Sequence, residues 1–173
     1  FVAYIGYEDK VQTYQNEMLN IMSLDGKNIS TVSSNIDSSI NEFYWDSKSK
    51  GLYVNYDFQG DTKISYLSLQ KKNIKIADQL GGTTIGRPYG GGSFSVSLNG
   101  SIAYTYTTSD HPAEIRVVSP KGIKKITKLS DELLKNRELA EIKEISYTSS
   151  FDGRKIQGWV AFPPYYDSNK EYR

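Results

Sequence analysis

The sequence feature that most constrains the fold is a turn sequence that recurs along the chain. Ser23-Leu-Asp-Gly-Lys-Asn-Ile29 returns 45 residues later as Ser68-Leu-Gln-Lys-Lys-Asn-Ile74, and a looser copy begins at Ser119, a further 51 residues on. A short run of alternating apolar residues precedes each copy, as expected for a strand with one buried face. A period of roughly 40 to 50 residues with several short strands per copy is typical of β-propeller blades.

A second set of strands repeats in phase with these turns. Strands are predicted upstream of the turns at Val2–Ile5, Leu52–Tyr56 and Ile102–Tyr106, and further strands at Glu42–Asp46 and Ser93–Ser97. The repeat predicts an all-β fold with two complete four-stranded blades, at about 40–78 and 91–129, and a blade at about 1–34 that lacks its first strand. A β-sandwich is the alternative, but it would not require the turn sequence to recur in phase.

The strand before each turn carries Asn20, Ser65 or Arg116 between apolar neighbours. We therefore expect each blade to bury one face against its neighbour and to turn these polar residues away from it. About two and three-quarter blades cannot close a ring, so apolar faces and strand edges would remain open. Self-association, or docking to further blades, is the expected consequence.

A short helix is predicted after the blades, as a linker over residues 131–140. Ser130 is placed to cap its N-terminus, and Asp131 and Glu132 suit the dipole of its first turn. Leu133 and Leu134 would supply a small apolar face.

The last part of the chain, residues 141–173, predicts a β-hairpin. Two alternating runs, Ile145–Thr148 and Ile156–Phe162, flank the turn signal Asp152-Gly153, which favours a tight connection. Pro163-Pro164 ends the second strand because proline has no N–H for the ladder.

The order of features in this hairpin resembles a known domain junction. The Asp152-Gly153 turn, Ile156-Gln-Gly-Trp159, a short apolar strand and Pro163-Pro164 followed by Tyr166-Asp167 are similar to the junction of prolyl oligopeptidase-family serine peptidases. The acylaminoacyl-peptidase-like and dipeptidyl-peptidase-like members are the most similar. In that family the junction joins an N-terminal β-propeller to a C-terminal α/β-hydrolase domain.

The resemblance implies that this chain is a fragment containing the end of the propeller, a linker and the first hairpin of the hydrolase domain. In the family the propeller restricts access of short peptides to the active site, and the catalytic serine, aspartate and histidine all come later in the chain. No catalytic residue is therefore assigned to any position here. The implied partners are short peptide substrates, the remaining blades and the remaining hydrolase, against whose core Trp159 and Phe162 are expected to pack.

Residues that suggest chemistry have simpler interpretations. The chain has no G-x-S-x-G turn, and its one histidine, His111, lies in Ser109-Asp-His-Pro-Ala-Glu114, where Pro112 is typical of a strand entry. With no cysteine, only oxygen ligands and His111 remain, and no metal-site spacing occurs. The glycine-rich stretch 80–94 lacks the phosphate-loop motif and leads into a strand, which favours close backbone packing. No cofactor or metal is expected.

The charge balance excludes some function classes. With 21 basic and 20 acidic residues the net charge is +1, so no basic surface for nucleic acid is predicted. No apolar run is long enough for a membrane helix, and we expect a cytoplasmic protein. A stand-alone TolB-like propeller for protein binding, and an extracellular solute- or glycan-binding β domain, remain as alternative functions.

Overall fold

The computed structural model describes residues 1–70, 72–82 and 91–172, which form antiparallel strands and one short helix. In chain order these elements are β1 Val2–Gly6, β2 Met18–Met22, β3 Ser30–Thr31, β4 Ile40–Trp45, β5 Gly51–Phe58, β6 Asp61–Ser68, β7 Asn73–Leu80, β8 Phe94–Val96, β9 Ile102–Thr108, β10 His111–Ser119, β11 Gly122–Lys125, α1 Asp131–Leu134, β12 Glu141–Thr148 and β13 Lys155–Phe162.

The strands before α1 form three consecutive antiparallel meanders. The first sheet contains β1, β2 and β3. Strands β4 to β11 form one hydrogen-bonded sheet of eight strands, which we divide into a middle sheet, β4 to β7, and a third sheet, β8 to β11. Among the described residues, the middle and third sheets are joined by the pair Leu80 with Tyr106 and by a hydrogen bond from the Gly81 N–H to the Thr105 carbonyl at 3.3 Å. The prediction of an all-β fold is confirmed for the described residues, whereas the blade boundaries stay a prediction.

The recurring turn occupies the same place in each meander, between its last two strands. In the first two copies the serine N–H donates to the carbonyl of the lysine four residues later: Ser23 to Lys27 and Ser68 to Lys72, each at 2.9 Å. The third copy is tighter, because Ser119 pairs directly with Gly122. The turn repeat in the sequence therefore reflects a real structural repeat.

Two apolar cores separate the three sheets. The first core lies between the first and middle sheets and the second between the middle and third sheets. Buried residues of the first core are Leu19, Ile21, Val32, Ile36, Ile40, Leu52, Val54, Tyr56 and Leu67. Those of the second core are Ile64, Ala77, Leu80, Phe94, Ile102 and Tyr104.

Both faces of the middle sheet are buried, which corrects the expectation that each unit buries only one. Ile64 and Leu67 lie on opposite faces of β6 and belong to different cores. Ser65, expected on a polar exposed face, is fully buried, and its hydroxyl lies 3.1 Å from that of Tyr56. The hydrogen bond between the two hydroxyls allows the polar side chain of Ser65 to be buried beside Tyr56 of the first core.

The predicted helix is much shorter than residues 131–140. The helix α1 covers only Asp131–Leu134, buries none of its residues, and receives no side-chain cap from Ser130. Leu133 and Leu134 are adjacent, so they cannot form a stripe on one helix face, and one turn gains little against the cost of nucleation. The prediction of a capped linker helix over residues 131–140 was wrong.

The hairpin is present, with longer strands and a longer connection than predicted. Thr148 and Lys155 form its last strand pair, and a loop of residues 149–154 connects the strands. The Ser149 N–H donates to the Arg154 carbonyl at 2.8 Å, and Gly153 has a φ of 73° inside this loop. The turn signal marked the correct position, but the connection is not the tight one expected.

The two faces of the hairpin have different environments. Trp159 pairs with Glu144 and lies on the face that meets the β5–β6 turn, where its ring contacts Gly60. Phe162 lies on the opposite face, since strand side chains alternate, and packs on Tyr166 with ring centroids 4.6 Å apart. Trp159 remains 52% exposed, so the packing of both aromatic rings against a hydrolase core stays a prediction.

Candidate functional site

A cluster of charged and polar side chains lies where the third sheet leads into α1. We call it the exit cluster and define it as His111, Glu114, Lys125, Thr127 and Asp131. The strand β10 supplies His111 and Glu114, with an irregular register between them where Pro112 enters the strand. Lys125 ends β11, and Asp131 begins α1.

Glu114 is the buried centre of this cluster, with 2% of its surface exposed. One carboxylate oxygen accepts a hydrogen bond from the Thr127 hydroxyl, and the other accepts one from the Ser130 N–H at 3.0 Å. The Thr127 hydroxyl, together with the backbone N–H groups of Ser130 and Leu129, lowers the pKa of Glu114 to about 2, although burial opposes this. Glu114 is therefore an anion that fixes the path of the chain out of the third sheet.

Asp131 forms the exposed side of the exit cluster. The Lys125 ammonium donates to one of its carboxylate oxygens at 2.7 Å, and this contact lowers the pKa of Asp131. The His111 Nε2 atom is 3.9 Å from the same oxygen. The potential ligand atoms of His111, Glu114 and Asp131 lie within 4.8 Å of one another, as a metal site would require. Here, however, the Asp131 carboxylate already accepts a hydrogen bond from Lys125. The Glu114 carboxylate accepts hydrogen bonds from the Thr127 hydroxyl and the Ser130 N–H.

The geometry around His111 does not resemble a catalytic triad. Its Nδ1–H donates to the Pro112 carbonyl at 2.8 Å, which orients the ring along its own strand. In the described part of the chain no hydrogen bond joins His111 to a serine, as a general base for nucleophile activation would need. No sequence pattern indicates the contact between His111 and Asp131, because the two residues lie in different elements.

Beside the exit cluster lies a cavity of about 290 Å³. Its lining side chains are Tyr106, Thr108, Asp110, His111, Glu114, Arg116 and Lys125. Arg116 stacks on Tyr106, with its guanidinium carbon 3.2 Å from the ring centroid, and its buried Nε has no hydrogen-bond partner. Arg116 thus lies on the face of β10 that meets the middle sheet, whereas the prediction placed it on the outward polar face. Acidic and basic groups both line the cavity, so no single ligand charge is favoured.

A larger cavity of about 500 Å³ lies between the β4–β5 and β8–β9 turns. Tyr53, Tyr66, Ile74 and Ile76 contribute to its walls, together with Asp46. The Tyr66 hydroxyl donates to Asp46 at 2.6 Å, and burial together with this carboxylate raises the pKa of Tyr66. Asp46 also accepts hydrogen bonds from two backbone N–H groups in its own turn. Its carboxylate therefore stabilises the β4–β5 turn.

Residues 83–90 of the glycine-rich stretch lie outside the described residues. In the part that is described, a Cβ atom on Gly92 would lie 2.5 Å from Cβ of Leu80. The strand β8 follows, not a helix. The interpretation as a close backbone approach is therefore confirmed at Gly92. In the described chain, no helix is both long and apolar enough to span a membrane.

Comparison with known proteins finds similar folds among solved structures. No protein-family model matches, and no curated protein matches. A variant of the isopeptidase AtxE2 with bound astexin3 is 10% identical, with a TM-score of 0.71 over 97% of this chain and 25% of that one. The Pyrococcus horikoshii acylaminoacyl peptidase is 16% identical, with a TM-score of 0.64 over 88% of this chain and 22% of that one.

TolB from Acinetobacter baumannii is a third similar structure. It is 19% identical, with a TM-score of 0.54 over 92% of this chain and 38% of that one. The chain thus spans about a quarter of the length of the similar peptidase structures. At these identities the likeness concerns the fold, which is an antiparallel all-β arrangement similar to parts of these peptidases and of TolB.

Proposed function

We propose that this chain is the final part of a β-propeller, joined by a linker to the first hairpin of an α/β-hydrolase domain, in a serine peptidase of the prolyl oligopeptidase family. The hairpin carries this proposal. One of its faces contacts the middle sheet through Trp159, and the other presents Ile145, Tyr147 and Ile156, which are 40%, 57% and 36% exposed. A two-stranded hairpin is not stable alone, so an apolar face of this kind requires a further layer.

In this proposal the blades have a steric role and the chemistry lies in the remaining hydrolase domain. Short peptides reach the active site past the propeller, and folded proteins are excluded by size. The peptide bond is then hydrolysed with release of an aminoacyl, acylaminoacyl or dipeptidyl unit. The 173-residue chain itself is inert because it has no G-x-S-x-G turn. The partners are short peptides and the remaining domains, and the proposed location is the cytoplasm.

A reactive fluorophosphonate probe tests this proposal. We expect no labelling of the 173-residue chain, and labelling of a serine beyond residue 173 in the full natural polypeptide, together with hydrolysis of short peptide substrates. Stoichiometric labelling of a serine in this chain would place the nucleophile here and refute the proposal. A full natural polypeptide that is neither labelled nor active on peptides would refute it as well.

The likeness to TolB favours a second candidate, a propeller that binds other proteins. The two candidates differ in what covers the exposed face of the hairpin. A natural polypeptide with no G-x-S-x-G turn after residue 173 would favour the binding module, since no hydrolase could then be completed.

A further inference from the structure

The hairpin β12–β13 meets the sheets at one small contact. The Gln157 side-chain N–H donates to the backbone carbonyl of Gln59 at 3.3 Å and also to Glu144 at 2.7 Å, across the hairpin. Two residues further along the same face of β13, the Trp159 ring lies against Gly60. Among the described residues, the Gln157 bond is the only hydrogen bond or ion pair between the hairpin and the three sheets.

Gly60 is required at this contact for two independent reasons. Its φ of +81° lies in the left-handed region, which glycine occupies without steric cost. A Cβ atom at this position would also lie 2.4 Å from Cζ2 of Trp159, closer than any real contact. The turn between β5 and β6 therefore presents bare backbone to the indole ring.

The linker does not fix the hairpin in place. Its helix α1 has a single turn with no buried residue, and Leu133 and Leu139 are 63% and 43% exposed. The exit cluster holds the linker at Ser130 and Asp131, but residues 135–139 are exposed, so the orientation of the hairpin depends on its contact with the middle sheet.

We propose that Trp159 and Gln157 form a latch on the Gln59-Gly60 turn that sets the orientation of the hairpin on the middle sheet. Two contacts of different kind, a ring against backbone and an amide on a carbonyl, fix both the distance and the rotation of β13. Trp159 and Gln157 are positioning residues, and Gly60 is the site that accepts them. The latch belongs to this chain whichever function the whole protein has.

Tryptophan fluorescence of this chain reads the latch directly. In a Trp45→Phe background Trp159 is the one remaining tryptophan. Adding Gly60→Ala should shift the Trp159 emission to longer wavelength and raise its quenching by acrylamide, because the methyl group displaces further into water a side chain that is already 52% exposed. The far-UV circular dichroism should not change, since the sheets keep their cores. Unchanged emission and quenching would refute the latch.

A matched control separates the clash from backbone strain. Gly26 has a φ of +77°, but a Cβ atom there would meet nothing within 4 Å. Gly26→Ala should therefore leave Trp159 emission unchanged, and an equal shift in both variants would overturn the proposal. Gln157→Ala should raise quenching as well, because it removes the amide contact and leaves the turn intact.

A measurement on the unaltered chain covers the case in which Gly60→Ala does not fold. Proton NMR should give a nuclear Overhauser effect between the Trp159 ring and the α-protons of Gly60. Absence of this effect in an assigned spectrum would refute the latch without any substitution.

Discussion

At the scale of single residues, Glu114 shows how one buried carboxylate connects segments that are distant in sequence. It sits in β10, yet its partners are the Thr127 hydroxyl and the Ser130 N–H, which follow β11. A hydrogen-bonded anion is stable when buried, but its neutral replacement leaves these donors without a full partner. Glu114 therefore stabilises the junction between the third sheet and the linker.

We predict that Glu114→Gln lowers the free energy of unfolding at neutral pH. The folded-state pKa of about 2 lies below the usual value of 4.5, so Glu114 stabilises the fold fully above about pH 4.5 and less as the pH falls towards 2. The difference between the variant and the unaltered chain should shrink over that range. Urea unfolding at a series of pH values checks this, with the exposed Glu138→Gln as the control. A difference that does not depend on pH would contradict the assignment.

At the scale of elements, the strand β6 carries two cores on its two faces. Ile64 packs towards the third sheet and Leu67 towards the first, and both are essentially inaccessible to solvent. The consequence is that the central strands of the middle sheet, β5 and β6, are covered on both faces, unlike those of most antiparallel sheets.

We predict that Ile64→Ala and Leu67→Ala each destabilise the chain by about 2–5 kcal/mol, because each leaves a cavity in a different core. Their effects should add, since the two side chains share no core. Urea unfolding of both single variants and the double variant checks this, with Ile74→Ala as the control at a site that is 51% exposed. A negligible effect of Ile64→Ala would mean that the second core is not packed.

At the scale of the whole molecule, the stack of three sheets ends in two outward faces. In the first sheet Val2 pairs with Met22 on the side opposite the first core, and Val2 is 38% exposed. In the third sheet Ile115 and Val117 belong to neither core. Sheets that expose apolar side chains and open edges tend to pair with other chains.

We predict that the isolated chain self-associates as its concentration rises. Val117→Lys should shift it towards the monomer, because the substitution places a charge on the outward face of the third sheet. Sedimentation velocity at a series of concentrations checks this, with Ile74→Lys as a control of equal charge away from both outward faces. If the unaltered chain is monomeric at every concentration, the prediction is contradicted.

The sequence predicted the parts of this fold that depend on local pattern. The alternation of apolar and polar residues predicted the strands, and the recurring turn predicted where each group of strands repeats. Both signals depend only on residues close together in the sequence. Ser65 was misplaced because its burial depends on a hydroxyl of Tyr56 in the adjacent strand. The approach of Asp131 to His111 depends on where the linker begins in space. Trp159 is different, since the two-residue period already separates it from Phe162, and the sequence contained that signal.

The double burial of the middle sheet bears on how duplicated units diverge. A strand with two covered faces packs against two different neighbours. The substitutions that it tolerates therefore differ from one copy to the next. The turn that begins at Ser68 is held mainly by its own backbone hydrogen bond to Lys72, and Leu69 is its contact with the first core. Units that arise by duplication should therefore keep similar turns long after their strands have diverged.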